Sequence, residues 1–343
     1  MNKLTYWIKG HQITAFFIIT FAITWGLGFS WNAVKERGQI LLAPLAIVAT
    51  CGPALAGIII SAATNTQPKQ GTRKAFWIAF LIAWVVSLFV FVAFNTFFNL
   101  VPFSPAVVIF SSVTVIPVAF VISMTYSRTP AVRTYLSSLI RLRGVWGWSL
   151  LALVLIPMLV LISVPITSIL GGRPIPTRQF PETGLAFIGL IALQFLYSFF
   201  FFNATGEEAG WRGFALPRLQ ARTSPLIAAL IIALFWAPWH FFLWQSEGRP
   251  VLTLQFWLDM YTGHILFSLM IVWICYRAKG SILVAGIAHA AANTAMTFIP
   301  FGEVHNLNPT WLVAALVMIL ADRMWKKLPS DHPAVYRDPV LEG

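Results

Sequence analysis

The stretch AFWIAFLIAWVVSLFVFVAFNTF, residues 75–97, contains no ionisable side chain, and Ser87, Asn95 and Thr96 are its only hydroxyl or amide residues. At about 1.5 Å per residue, about 20 such residues cross the ~30 Å of hydrocarbon in a bilayer. The run lacks the two-residue alternation of a barrel strand, and backbone groups in lipid must be paired within their own segment, so it reads as a membrane-crossing helix. Similar runs recur at 12–29, 40–62, 106–125, 147–171, 184–203, 225–244, 253–276, 281–300 and 309–324. The fold class is therefore all-α, a polytopic transmembrane helical bundle of about 8–10 spans.

Composition points the same way. Of 343 residues, 58% are hydrophobic and only 10% charged, where a soluble domain carries about 25% charged residues. Cys51 and Cys275 both fall inside predicted spans, which excludes a disulfide framework and a CxxC redox or zinc motif. The basic start, MNKLTYWIKG, leads into a long apolar run with no small-residue cleavage site, so it is read as an uncleaved first helix. A net charge of +12 could suit a nucleic-acid binder, but the basic residues sit in short loops between spans. With ten spans and an inside N-terminus, all of the 23 Lys and Arg residues except Lys35, Arg37, Arg173, Arg178 and Arg249 fall on the cytoplasmic side. The expectation is a multi-pass cell-membrane protein with cytoplasmic N- and C-termini, surrounded by membrane lipid and binding no nucleic acid.

No loop is long enough to form a soluble module. Residues 1–126 read as N-terminal transmembrane helices without a motif, 127–325 as the motif-bearing core, and 326–343 as a polar tail, peripheral or disordered. Within the core, SRTPAVRTYLSSLIRLRGVW (127–146) alternates basic and apolar positions at helical spacing, which suits an interfacial helix at an anionic leaflet.

Ionisable residues in or near spans cost about 2.5–3.5 kcal/mol each on the insertion scale, so each needs a reason. Those here are Glu207, Glu208, His240, Asp259, His264, His289 and Asp322, with Asn203 and Asn293 as neutral companions. In TGEEAGWRGF (205–214), Glu208 and Arg212 share a helix face at i, i+4, whereas Glu207 is turned about 100° away. A carboxylate held by arginine stays ionised, while a neighbour in apolar surroundings has its pKa raised toward that of a general base. The plainer reading is an ion-paired helix end. In FWAPWHFFLW (235–244), Pro238 removes an amide donor and frees the carbonyl of Leu234, and His240 follows inside the apolar run. By itself His240 reads as an interhelical hydrogen-bonding residue. Yet Glu207 and His240 are equidistant from a turn at ARTSP (221–225), and an antiparallel hairpin closing there sets them at one level. In HAAAN (289–293), His289 and Asn293 share a face, and the alanines between them let another helix or a substrate backbone come close. Asp259 and His264 read as interfacial, and Asp322 as a solvated helix end.

Taken together, Glu-Glu-x-x-x-Arg, an aromatic-x-x-x-His and a His-x-x-x-Asn, each on its own apolar helix, resemble the CPBP (Abi) family, the CAAX proteases and bacteriocin-processing enzymes related to Rce1-type prenyl-protein proteases. Glu207, Glu208 and Arg212 match its first motif, Trp236 and His240 the second, and His289 and Asn293 the third; Trp236 stands where the family often has phenylalanine. The motifs cover about residues 203–296. The resemblance implies intramembrane hydrolysis of a peptide bond, with Glu207 activating water, Glu208 and Arg212 supporting it, and His240, His289 and Asn293 stabilising the oxyanion. It implies a peptide or protein substrate with a membrane-proximal cleavage site. It leaves the cofactor open between none and a divalent metal: His240, His289 and Glu207 would form a His₂Glu set for Zn²⁺. No HExxH, GxSG serine or paired intramembrane aspartate motif is present. Two other readings stand beside hydrolysis, a transporter relaying ions through the same polar residues and a non-catalytic immunity or scaffold protein. Against transport, the polar residues cluster in the second half of the chain rather than in two similar halves.

Overall fold

Along the chain of the computed structural model the helices are α1 (Lys3–Gly10), α2 (Gln12–Lys35), α3 (Pro44–Thr50), α4 (Gly52–Thr64), α5 (Arg73–Phe97), α6 (Pro105–Thr114), α7 (Ile116–Ser123), α8 (Pro130–Leu136), α9 (Trp146–Ile169), α10 (Gly184–Ser198), α11 (Leu216–Gln220), α12 (Pro225–Trp239), α13 (Phe241–Ser246), α14 (Leu254–Arg277), α15 (Ile282–Phe298) and α16 (Pro309–Ala321). Between α10 and α11 the helix continues with widened, π-type turns over Phe199–Glu208 and Trp211–Ala215. The structure describes residues 3–35, 44–174, 177, 179–300, 302–303 and 308–337. Residues 40–43, Arg37, Arg178 and the end of the tail, 338–343, lie outside them. The described residues add one short antiparallel pairing, Arg173 with Glu303 and Pro174 with Gly302, to an otherwise all-helical chain.

Several helices begin where the sequence supplies a cap. Thr72, Ser104, Ser224, Thr253, Ser281 and Asn308 each accept a hydrogen bond from a backbone amide three residues on. Pro105, Pro225 and Pro309 follow at the first helical position, where a missing amide hydrogen costs nothing.

Among the described residues six helices are long and apolar enough to cross a membrane, or eight if the bent pairs α3–α4 and α6–α7 each count as one span. Ten apolar runs thus become fewer full spans. Pro53 and Pro117, each just inside a helix start, interrupt two runs, and α15 and α16 are short.

The helices pack into two units, Met1–Arg141 with Glu182–Phe214, and Leu142–Pro181 with Ala215–Gly343. This division passes through the glutamate-bearing helix. In the first unit α2 packs on α3 and α4, and α5 on α7. The α3–α4 pair bends by 62°, and its corner lies against the glutamate segment. There Gly206 and Gly210 allow backbone contact: a Cβ on Gly206 would stand 2.7 Å from the carbonyl oxygen of Thr50, and one on Gly210 2.6 Å from that of Pro53. Close packing of small residues is how helices associate in lipid, where no hydrophobic force drives them together. In the second unit α9 packs on α15, α12 on α14, and α14 on α16.

Three expectations are corrected. Residues 127–146 do not form one helix: α8 ends at Leu136, the Ser137 hydroxyl turns back onto the Thr134 carbonyl, and Gly144 takes a φ of +80° before α9. Asp322 is not merely solvated, since its carboxylate pairs with Arg277 Nε at 3.1 Å and accepts from the Tyr276 hydroxyl at 3.0 Å. The described part of the tail, up to residue 337, packs on the second unit. Ala334 and Val335 are buried, the Tyr336 amide donates to the Pro217 carbonyl at 3.0 Å, and the Arg218 guanidinium stacks 3.9 Å from the Tyr336 ring centre. Gly280 makes room for Ala334.

Two outcomes follow. Gly210→Ala forces a methyl into Pro53 and lowers stability by about 1–3 kcal/mol, read as a fall in thermal midpoint of the purified protein. In the tail, the Ala334 amide donates to His332 Nδ1 at 3.1 Å, which requires that nitrogen to be unprotonated. Burial holds the His332 pKa below its ordinary value, with Asp331 opposing. The undocked ring therefore binds a proton first, and docking weakens as pH falls through about 6.5. Hydrogen exchange of the Ala334 amide should show more opening at pH 5.5 than at pH 7.5, beyond the intrinsic pH effect on exchange.

Candidate active site

The polar residues of the first unit are set by the wide turns after α10. A π-type turn closes i→i+5 rather than i→i+4 and commonly marks a functional segment. Here it runs FFFFNATGEE, and the Thr205 hydroxyl bonds back to the Phe200 carbonyl inside it. The Thr50 hydroxyl, from the α3–α4 corner, reaches the Phe201 carbonyl at 3.4 Å. From α8 the Tyr135 hydroxyl donates to the Ala209 carbonyl at 2.6 Å, just after the glutamates.

On this frame Glu208 Oε1 and Arg212 Nη1 lie 3.1 Å apart, with both side chains 0% exposed. The i, i+4 pairing expected from sequence is formed. Glu207, 4% exposed, accepts from Asn203 Nδ2 at 3.5 Å, at the outer limit for such a bond. Glu208 is thus held by a cation, and the Asn203 amide is one neighbour of Glu207. Below them Trp211 meets Phe16 edge to face at 5.4 Å, and Phe16 stacks on Phe214 at 5.3 Å. Such pairs contribute about 0.5–1.5 kcal/mol each beyond area burial and fix the face the glutamates present.

The polar residues of the second unit gather on the buried ring of Trp236. His240 lies 5.9 Å from it by ring centres, His264 4.9 Å and His289 5.2 Å. His240 is the junction residue between α12 and α13. Its Nδ1 is 3.0 Å from the Trp236 carbonyl, and His264 Nδ1 is 2.7 Å from that of Met260. A carbonyl oxygen only accepts, so both rings carry their proton on Nδ1, and when neutral both offer Nε2 as an acceptor. Trp244 stacks on His240 at 5.1 Å, and the Trp239 ring meets it edge-on at 4.7 Å. Pro238 leaves the Leu234 carbonyl without its helical donor, and the Tyr261 hydroxyl of α14 approaches that oxygen at 3.4 Å. His289 is buried against Phe267, ring centres 5.1 Å apart, and half-buried Asn293 follows one turn later on α15.

Sequence reasoning read Asp259 and His264 as interfacial; Asp259 accepts from Gln255 at 2.7 Å, whereas His264 joins the histidine cluster. The signal that could have found it is helical spacing: Tyr261, His264 and Ser268 lie on one face of α14, and all three meet α12. Tyr135 gave no sequence signal, because its partner is a backbone carbonyl far along the chain. Among the described residues no three His, Cys, Asp or Glu side chains come together as a set able to hold a metal ion.

Residues 185–295 match the model of the type II CAAX prenyl endopeptidase Rce1-like family. The chain is also 28% identical over 184 residues to CAAX prenyl protease 2 of Methanococcus maripaludis. That alignment covers 50% of this chain and 65% of the relative, so the chain spans just under two thirds of the protein it matches. Every motif residue from Glu207 to Asn293 falls inside the matched region, as the sequence resemblance leads one to expect.

The buried pair yields a sharp outcome. Arg212→Ala leaves Glu208 charged and enclosed, at a cost of about 3–5 kcal/mol, whereas Glu208→Gln combined with Arg212→Met removes both charges and recovers most of that loss. Thermal unfolding of the single and double variants measures the difference.

Proposed function

We propose, from the relatedness of residues 185–295 to the Rce1-like CAAX prenyl endopeptidases, that this protein is an intramembrane endopeptidase acting on a peptide or protein whose cleavage site lies close to the membrane. The observation that carries the reading is a pair of adjacent buried carboxylates of which one, Glu208, is held by Arg212. A general base must be able to gain and lose a proton. Glu208 is committed to a cation, so the role falls to Glu207.

In the proposed reaction Glu207 takes a proton from water as the water oxygen bonds to the peptide carbonyl carbon. The carbonyl oxygen becomes an oxyanion, the carbon–nitrogen bond then breaks, and the amine leaves with the proton. Glu208 and Arg212 support the helix that presents Glu207. Donors aimed at the oxyanion supply the main electrostatic stabilisation in such reactions. The Asn293 amide can donate without changing protonation. His240, with its Nδ1 hydrogen held by the Trp236 carbonyl, donates through Nε2 only when doubly protonated, and His289 is the third group assigned to polarising the carbonyl. We place the protein in the cell membrane with cytoplasmic termini, on the charge bias of its loops.

The test uses the purified full chain in vesicles with a membrane-anchored reporter peptide. Glu207→Gln should lower turnover by about 10²–10⁴-fold with the thermal midpoint unchanged; cleavage at the wild-type rate would overturn the assignment. Chelator treatment of the wild type decides the cofactor. Loss of turnover restored by Zn²⁺ assigns a metal, and unchanged turnover assigns metal-free hydrolysis.

A further inference from the structure

In the first unit the loop before α5 and the segment around α8 are tied into one frame. The Gln70 amide donates to the Arg128 carbonyl at 2.8 Å, and the Ala131 amide donates to Asn65 Oδ1 at 3.2 Å. Arg133 donates through Nη1 to the Gln70 carbonyl at 3.3 Å and through Nη2 to Gln70 Oε1 at 2.8 Å. Gly71, with a φ of +81°, turns the loop beneath the Arg133 guanidinium.

Around this frame stand Lys69, Arg73, Lys74, Arg128 and Arg133, and neither 65–74 nor 127–141 contains an aspartate or glutamate. Lys69, Arg73 and Lys74 are exposed. Arg128 is half-buried, and its Nε is enclosed without an acceptor among the described residues. An enclosed, charged N–H donor without a partner is costly, and such a group marks a place where an acceptor belongs. Arg73 is also the first residue of α5, a 25-residue apolar span. The cations therefore lie where hydrocarbon gives way to headgroups, the depth at which lipid phosphates sit.

We propose that this frame is a binding site for the phosphate of an anionic phospholipid, with Arg128 Nε as the enclosed donor and Lys69, Arg73 and Lys74 as the surrounding charge. Arg133 is spent on Gln70 and holds the frame. The same α8 carries Tyr135, whose hydroxyl holds the Ala209 carbonyl beside Glu208. Occupancy of the site thus steadies the helix on which the glutamates stand.

The test is the thermal midpoint of the full chain, purified in a neutral detergent, with phosphatidylglycerol, phosphatidylcholine or inorganic phosphate added. No step of it requires proteolysis, so its result is independent of the hydrolytic reading. Phosphatidylglycerol should raise the midpoint by about 2–4 °C at saturation, and phosphatidylcholine should not. Arg128→Gln keeps the carbonyl that Gln70 uses and should lose the response, as should the Lys69→Gln/Arg73→Gln/Lys74→Gln variant, which serves alone if Arg128→Gln fails to fold. Equal shifts with both lipids, or a response kept by the folded variants, overturn the site. The same shift with inorganic phosphate overturns the assignment to lipid.

Discussion

Glu208 and Arg212 leave water together, and much of the first unit is arranged so that they can. Removing a carboxylate and a guanidinium from water costs several kcal/mol each, recovered only if the two meet in good geometry with no void around them. Their 3.1 Å contact requires positions four apart to stay on one face in a segment that also contains widened turns. It also requires dense surroundings, which the aromatic rings of Phe16, Trp211 and Phe214 supply on one side. On the other, Gly206 and Gly210 bring the bent α3–α4 backbone into contact. Glu207 stands next to this pair in the chain, with the Asn203 amide against its carboxylate.

The second unit meets the same difficulty with neutral groups. Three histidines share one tryptophan, and two of them spend their Nδ1 hydrogen on carbonyls of their own helix. That choice sets the tautomer and aims the basic nitrogen away from the helix that carries it. Pro238 creates an unpaired carbonyl in the middle of a span, and Tyr261 covers it from the neighbouring helix. A break in the backbone is tolerable in lipid only when a neighbour supplies the missing donor.

What could be read in the sequence was whatever rests on short spacing. The Glu208–Arg212 pair, the ARTSP turn and the freed Leu234 carbonyl each follow from positions at most five apart, and each is in the structure. Hydrophobic periodicity was mute, because a helix in lipid is apolar on the face toward its neighbours and on the face toward the acyl chains alike. Tyr135 therefore could not be assigned to Ala209 from the order of residues, and for His264 only its spacing from Tyr261 and Ser268 pointed to α12. The docking of the tail was hidden for a related reason. Its composition is polar, but Ala334, Val335 and Tyr336 find a surface made by Pro217, Arg218 and Gly280, and composition cannot foresee such a surface. The helix breaks at Cys51 and Val115 shortened two runs that hydropathy alone reads as continuous.

The helix from Gly184 to Gln220 runs for 37 residues. At ~1.5 Å per residue that is about 55 Å, nearly twice the hydrocarbon thickness, and even a steep tilt leaves it longer than the bilayer core. One end must stand among headgroups or in solvent. Glu207 and Glu208 stand about two thirds of the way along it, at the end of the first wide turn. The proposed hydrolysis would consume water, a reagent scarce in the acyl layer. Residues 184–203 are its apolar part, so the glutamate-bearing end is the one that approaches the headgroups, and water lies nearest to the acids from that side.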